Sequence, residues 1–388
     1  MVFDFDELID RRQTGSIKWS GSPNELPMWV ADMDFKAAPA IIEALRQRID
    51  HGVFGYTEPD EDWFNAYHDY YLDVHNWKID KGSLIFATGV VPIISSSVRK
   101  LTAVGNNVVV MPPVYNIFYN SIVNNARKPL EVPLLLQNGV YEMDWEGLEK
   151  AFSLPETKLL ILCNPHNPVG RIWSKEELAR LAKLAKEHDV IVLSDEIHGE
   201  ITPLEKPYVP FYISCEEAKE IGYAAISPTK CFNLAGIQTA AMVIDNAEIR
   251  AKVDRQINTD EVAEPNVFAV PATIAAFRDS RDWLNQMRRY VFDNRAYAER
   301  FIEEKIKDLK AIRGEATYLL WVDCSSISSD SRPLLKFLRE SVELRLSDGE
   351  EYGTGGQGFF RMNLACPRSR LQDGLERLAK GIELFKKQ

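Results

Sequence analysis

Two residues at the ends of apolar runs carry the clearest chemistry in this chain. Lys230 lies in Ser227-Pro228-Thr229-Lys230-Cys231-Phe232-Asn233-Leu234-Ala235-Gly236, and Asp195 lies in Ser194-Asp195-Glu196-Ile197-His198. A lysine amine condenses with an aldehyde to a Schiff base. An aspartate beside a pyridine nitrogen keeps that nitrogen protonated and its ring electron-poor. The two together suit an aldehyde-bearing heteroaromatic electron sink. A lone lysine would carry little weight, because most lysines are solvated surface charges. The weight comes from the elements that hold these two.

Short apolar runs at 84–87, 107–111, 159–163, 190–194, 224–227 and 240–244 read as buried strands. Amphipathic segments separate several of them. The clearest is 174–188, with Ser174 and Glu177 spaced as a capping box and Leu178, Leu181, Ala182 and Ala185 on one face. Such alternation predicts an α/β fold whose mainly parallel sheet is flanked by helices. Residues 246–310 read as helical, with an interruption at Pro265 and Pro271. A strand at 318–323, a helix at 332–342, a strand at 358–364 and a helix at 371–386 then predict a smaller α+β domain. The expected division is a large domain at 50–282 and a small one built from 1–49 and 283–388.

Ligands of open α/β sheets bind beyond the carboxyl ends of the strands. Four of the predicted strands end in candidate groups. The first runs into Thr88-Gly89-Val90, then a helix with Pro92 in its first turn, a place where backbone N–H groups can meet a phosphate. The third ends in Asn164-Pro165-His166-Asn167-Pro168-Val169-Gly170, the fourth in Asp195 and the fifth in the Lys230 segment, where Ser227 and Thr229 add hydroxyls. Each has an ordinary alternative: a glycine turn, an Asn-Pro turn, a helix cap. Asn, Asp and Lys on successive strand ends in this order favour a cofactor site, with pyridoxal 5'-phosphate (PLP) as the cofactor.

With these segments the chain resembles the fold-type I PLP-dependent enzymes of the aminotransferase class I/II superfamily. Within them it is most similar to the MalY/PatB-type cystathionine β-lyase (C–S lyase) branch. The resemblance runs from about Leu26 to the C-terminus and includes Trp29-Val30-Ala31-Asp32-Met33-Asp34-Phe35, Phe54-Gly55-Tyr56-Thr57, the Ser194 to His198 run and Gly358-Phe359-Phe360-Arg361-Met362-Asn363. It implies that Lys230 carries the cofactor as a Schiff base and moves the substrate proton. It implies that Asp195 pairs with the ring nitrogen, that Asn167 bonds the ring's 3-oxygen, and that Tyr115 stacks on the ring and takes part in catalysis. Gly89, Val90, Ser227 and Thr229 would line the phosphate, joined by Tyr56 from the partner subunit of a homodimer. Arg361 would clamp the substrate α-carboxylate, with Ala31 and Asn167 beside it. Two positions depart from the aminotransferase pattern. Gln238 stands where many aminotransferases place a phosphate-binding arginine, and His198, assigned to the cofactor, stands where they often have tyrosine.

The implied activity is β-elimination from cystathionine- or cysteine-type amino acids, giving a thiol or sulfide, pyruvate and ammonia. An aminotransferase on the same scaffold is the nearest alternative. The dicarboxylate-specific kind is disfavoured, since 258–266 contains no arginine for a second carboxylate. A regulatory protein that binds a transcription activator is a third reading, with no surface for it encoded in the sequence.

Composition narrows the field. A net charge of −11 argues against nucleic acid or an anionic membrane as the main partner. Five widely spaced cysteines without a CxxC pair read as reduced thiols of a cytoplasmic protein. No HExxH or Cys/His spacing suggests a metal, no apolar run approaches the ~20 residues of a membrane span, and the acidic N-terminus lacks a signal core. Gly353-Thr354-Gly355-Gly356-Gln357-Gly358 satisfies GxGxxG, but it precedes a predicted strand where a dinucleotide site would follow one. Ser227-Pro228-Thr229-Lys230 matches SxxK without the SDN and KTG partners of serine acyl hydrolases. The aromatics at 67–77 read as the packed face of a helix.

Overall fold

A computed structural model describes residues 1–387. Its centre is a seven-stranded sheet in the order Leu84–Ala87, Ala240–Val243, Gly222–Ile226, Ile191–Asp195, Thr157–Cys163, Asn107–Val110, Lys128–Glu131. All pairings are parallel except those of Ala240–Val243, which runs antiparallel to both neighbours. The α/β fold with helices on both faces is as expected, and each of the six predicted strands lies within two residues of its observed bounds.

The strands form here because their apolar runs are buried on both faces, as parallel sheets require. In the Thr157–Cys163 strand, Leu159, Ile161 and Cys163 enter one core layer while Leu160 and Leu162 enter the opposite one. The helix Lys175–Glu187 carries the predicted capping box and buries Leu178, Leu181, Ala182 and Ala185. A leucine so buried contributes about 1.5–3 kcal/mol. The seventh strand, Lys128–Glu131, has no counterpart in the sequence reading. Its Pro129 and charged ends mask a strand pattern, and only an edge position makes them tolerable. Pro271 differs in the other direction: it belongs to the first turn of the helix Ala269–Asp279, where a proline costs no helical hydrogen bond.

A second, antiparallel sheet has the order Lys310–Ala311, Leu319–Asp323, Phe359–Asn363, Ser347–Asp348. The helices Ser331–Val342, Arg368–Phe385 and Arg281–Lys305 supply its apolar cover. The N-terminal segment joins it through Leu26–Pro27, which pairs in parallel with Leu344–Arg345. Farther on, the helix Pro39–His51 packs against Ala269–Asp279, beside the large sheet's helices. We propose the division near 282/283 as a domain boundary because Ala269–Asp279 has just ended and the new helix, Arg281–Lys305, leads from the large core, which holds its Trp283, Leu284, Met287 and Val291, to the second sheet's core, which holds its Ala298 and Ile302.

Residues between these attachments bridge the two sheets. Asn363 Nδ2 donates to the carbonyls of Val30 (2.5 Å) and Asp32 (2.7 Å). Asn233, three residues beyond Lys230, accepts from Met33 N–H (3.0 Å) and donates to Phe35 O (2.8 Å). Lys18, only 1% exposed, and Arg11 pair with Asp32 and Asp34 beneath the same segment. Buried charges so matched hold a backbone in one place, since parting them would leave an uncompensated ion.

Candidate functional site

The strand register brings the candidate residues together. Cys163 and Asp195 are Cα partners at adjacent strand ends, and Asp195 is in turn level with Ala225, two residues before Ser227. Beyond these ends lies a cavity of about 260 Å³. Of the predicted residues, Ala31, Gly89, Val90, Tyr115, Asn167, Asp195, His198, Thr229 and Lys230 line it. Ser227 stands one layer behind: its hydroxyl bonds Thr229 Oγ1 at 2.7 Å and the Thr239 carbonyl at 2.7 Å. Arg361 reaches the rim from the second sheet, donating to Asn167 Oδ1 at 3.0 Å. Tyr56 is absent from this chain's cavity, and its side chain is fully exposed.

Asp195 caps no helix. Among the described residues its Oδ1 accepts only the Ile197 N–H, at 3.1 Å. Burial, opposed by that bond and by the charge of Lys230, pushes its carboxyl up to about 7. Lys230 Nζ donates to the Ala31 carbonyl at 2.6 Å, and the Tyr318 hydroxyl donates to the same oxygen at 3.0 Å. Burial and the nearby Arg361 charge bring the Lys230 amine down to about 8, against the opposing pull of Asp32 and Asp195. The amine is therefore poised as a nucleophile and base near neutral pH.

His198 is buried and its Nδ1 has no partner among the described residues. Burial first, then the charges of Lys230 and Arg361, hold it well below the usual histidine range, so it is neutral. Its ring meets Tyr318 edge-on at 6.3 Å.

Gly89 caps the helix Val90–Leu101 without a side-chain bond, which leaves that helix's first N–H groups facing the cavity wall. A Cβ at Gly89 would meet Pro92 at 3.3 Å. Gln238 forms part of the same wall in a left-handed conformation (φ 58°). The donors presented at this end are therefore helix N–H groups and the Thr229 hydroxyl.

Arg361 is 4% exposed and forms no ion pair with any described carboxylate. Its other contacts are the Trp29 carbonyl (2.9 Å) and Ser347 Oγ (3.4 Å), and its Nε is unpartnered. A guanidinium buried without a counter-ion is costly. Chemically, such a group has the capacity to pair with a carboxylate.

Sequence reasoning passed over Tyr318, Cys163, Thr88 and Thr239, all at or beside the cavity. Thr88 and Cys163 sit at strand ends and could have been found there. Tyr318 precedes a strand of the other sheet, and nothing local ties it to Lys230.

Residues 26–378 match the family model for aminotransferase class I and II. A cystathionine β-lyase of Bacillus subtilis, PatB, is 39% identical over 98% of this chain and 100% of its own length. The structure of cystalysin from Treponema denticola, which contains a pyridoxal 5'-phosphate cofactor, matches with a TM-score of 0.96 at 32% identity, covering 99% of each chain. The PLP-bound C–S lyase of Staphylococcus hominis matches with a TM-score of 0.92 at 30% identity, over 98% of this chain and 99% of that one.

Proposed function

We propose, from the premise that this chain belongs to the aminotransferase class I and II family, that it is a PLP-dependent carbon–sulfur lyase. It acts on amino acids by β-elimination. The carrying observation is one cavity lined by an amine brought down to about 8 and a buried carboxylate without an ion-pair partner, with a guanidinium free of carboxylates at its rim.

The residues present fit the cofactor. Asp195 is a buried acid without an ion-pair contact among the described residues, Thr229 and the first N–H groups of Val90–Leu101 offer an anion seat, and Tyr115 supplies a ring face in the wall. In this reading Lys230 would hold the aldehyde carbon, Asp195 the ring nitrogen, Asn167 the 3-oxygen, and Gly89, Val90 and Thr229 the phosphate, with Ser227 behind them orienting the Thr229 hydroxyl. His198, neutral and with Nδ1 unpartnered, would border the ring. When bound, PLP supplies an electron-poor ring that takes up the electron pair left at Cα.

The chain's own groups do the rest. Arg361 fixes the substrate carboxylate through two parallel hydrogen bonds, with Ala31 and Asn167 bounding the same end. Lys230 Nζ, neutral once freed, removes the proton from Cα. Asp195, as the carboxylate, would favour a proton on the ring nitrogen. The Cβ–S bond then breaks with its electron pair leaving on sulfur, and hydrolysis of the remaining three-carbon fragment gives pyruvate and ammonia.

An aminotransferase would share every step up to loss of the Cα proton. The purified holoenzyme given cystathionine and no keto acid should form pyruvate and thiol in equal amounts over many turnovers. A single turnover that resumes only when a keto acid is added would establish transamination instead.

We further propose a homodimer whose sites are shared, supported by the full exposure of Tyr56 next to the exposed Phe54 and Val53. Mixing a Lys230→Ala chain with a Tyr56→Phe chain should restore part of the activity that each lacks alone. Absence of any recovery in verified mixed dimers would refute the shared site. Among the described residues no helix is long and apolar enough to cross a membrane. The five unpaired cysteines support a cytoplasmic setting.

A further inference from the structure

The glycine-rich run 353–358, unused by a dinucleotide, does have a structural task. It follows the short turn Gly349–Tyr352 of the second domain and lies against the edge of the large sheet. Tyr352 C=O accepts the Val114 N–H at 2.8 Å, one residue before Tyr115. On the other side, Glu131 of the edge strand accepts from Tyr119 (2.5 Å) and from Thr354. The approach is close enough to exclude side chains. A Cβ at Gly353, where φ is 86°, would fall 2.0 Å from the Tyr119 hydroxyl, and within the turn itself one at Gly356 would fall 1.9 Å from Gly349 O.

This packing sets Tyr352, 2% exposed, with its ring under Arg361: the guanidinium carbon is 5.1 Å from the ring centroid. The ring is held edge-on by Trp321 at 5.4 Å, and Trp321 is stacked on Phe359 at 5.1 Å and 5°. Trp321 and Ser347 are also the cross-strand neighbours of Arg361. With no carboxylate paired to it, the guanidinium has the negative face of this ring as its electrostatic partner.

We infer that Tyr352 is a positioning residue for substrate: its ring face holds Arg361 in the orientation that receives the α-carboxylate, while its backbone carbonyl ties that orientation to the segment bearing Tyr115. The inference rests on the reading of Arg361 given above. A ring that acts through the arginine alters substrate binding and leaves the Cα proton transfer alone, so it moves KM and not kcat.

The test keeps the shape of the ring and weakens its face. Tyr352→Phe, followed by phenylalanines carrying one, two and three ring fluorines at the same position, should fold alike. KM for cystathionine should stay within about twofold for phenylalanine and climb with each fluorine to roughly tenfold, with kcat within about twofold, as expected for a cation–π contact. The dissociation constant of propionate, titrated calorimetrically into the holoenzyme, should climb in parallel. In an Arg361→Ala background the series should be flat. Arg361→Ala alone should lower kcat/KM about a hundredfold. If it does so while the fluorine series is flat in the parent enzyme, Tyr352 has no such role. If Arg361→Ala leaves kcat/KM unaltered, the carboxylate reading of Arg361 falls and this inference falls with it.

Discussion

Replacing Lys230 by alanine should abolish turnover and the absorption band of the lysine-bound cofactor, while the fold survives. The side chain makes a single hydrogen bond, to Ala31 O, and a buried amine is no asset to stability. Sign and size follow from its environment. The folded-state pKa, about 8, lies below the ordinary lysine value of about 10.4. Folding thus costs free energy at any pH below about 8, where an ordinary lysine would be charged, and the cost is relieved as pH rises through 8 to 10. Alanine removes that cost, so the cofactor-free variant should melt no earlier than the parent at pH 7. For chemistry the shift is a gain: at pH 7.5 roughly a quarter of such amines are neutral, against about 0.1% of ordinary lysines. Capture of the aldehyde by the cofactor-free parent should accordingly rise with pH to a plateau above about 8. Borohydride reduction of the holoenzyme and peptide mapping should label Lys230. Label on a different lysine, or a variant that still turns over, would end the assignment.

Asp195→Asn should lower kcat by orders of magnitude at almost constant shape. The asparagine cannot stabilise a cationic ring nitrogen, so the electron pair left at Cα loses its sink. Stability should move the other way. The folded-state pKa, about 7, is raised above the unfolded value of about 3.9 by burial, so the folded chain binds more protons than the unfolded chain between pH 4 and 7. Stability tied to Asp195 is therefore lost as pH rises through that window, and Asp195→Asn should relieve the loss in the cofactor-free protein. A melting curve at pH 8, measured beside single-turnover kinetics, separates this from general damage. A cofactor-free variant that melts far earlier than the parent, or a holoenzyme of near-parental activity, would contradict the role.

The α/β fold was legible because its evidence is local. Five-residue apolar runs such as Leu159 to Cys163 can be buried only between two covered faces, and the Ser174/Glu177 box marks a helix start without reference to anything distant. The edge strand at Lys128–Glu131 was not legible. Its residues carry no strand pattern, and its pairing with Asn107–Val110 comes from a chain segment already in place.

Within the site the same line divides what could be read from what could not. The sequence alone determined the residue types at the strand ends, Asn167, Asp195 and Lys230, because a strand's end and the turn after it are written in consecutive residues. It also singled out Arg361, through resemblance. Only the tertiary structure decided what those groups face. It set the Ala31 carbonyl against Lys230 Nζ through the pins of Asn363 and Asn233, and it brought Tyr318 to the same oxygen. It also placed Arg361 between Asn167 and the Tyr352 ring. Those contacts join residues far apart in the chain and from two separate sheets. No periodicity or motif records them, since they arise from two packed cores meeting, and the lowered Lys230 amine, which feels Arg361 and Asp32, depends on that meeting.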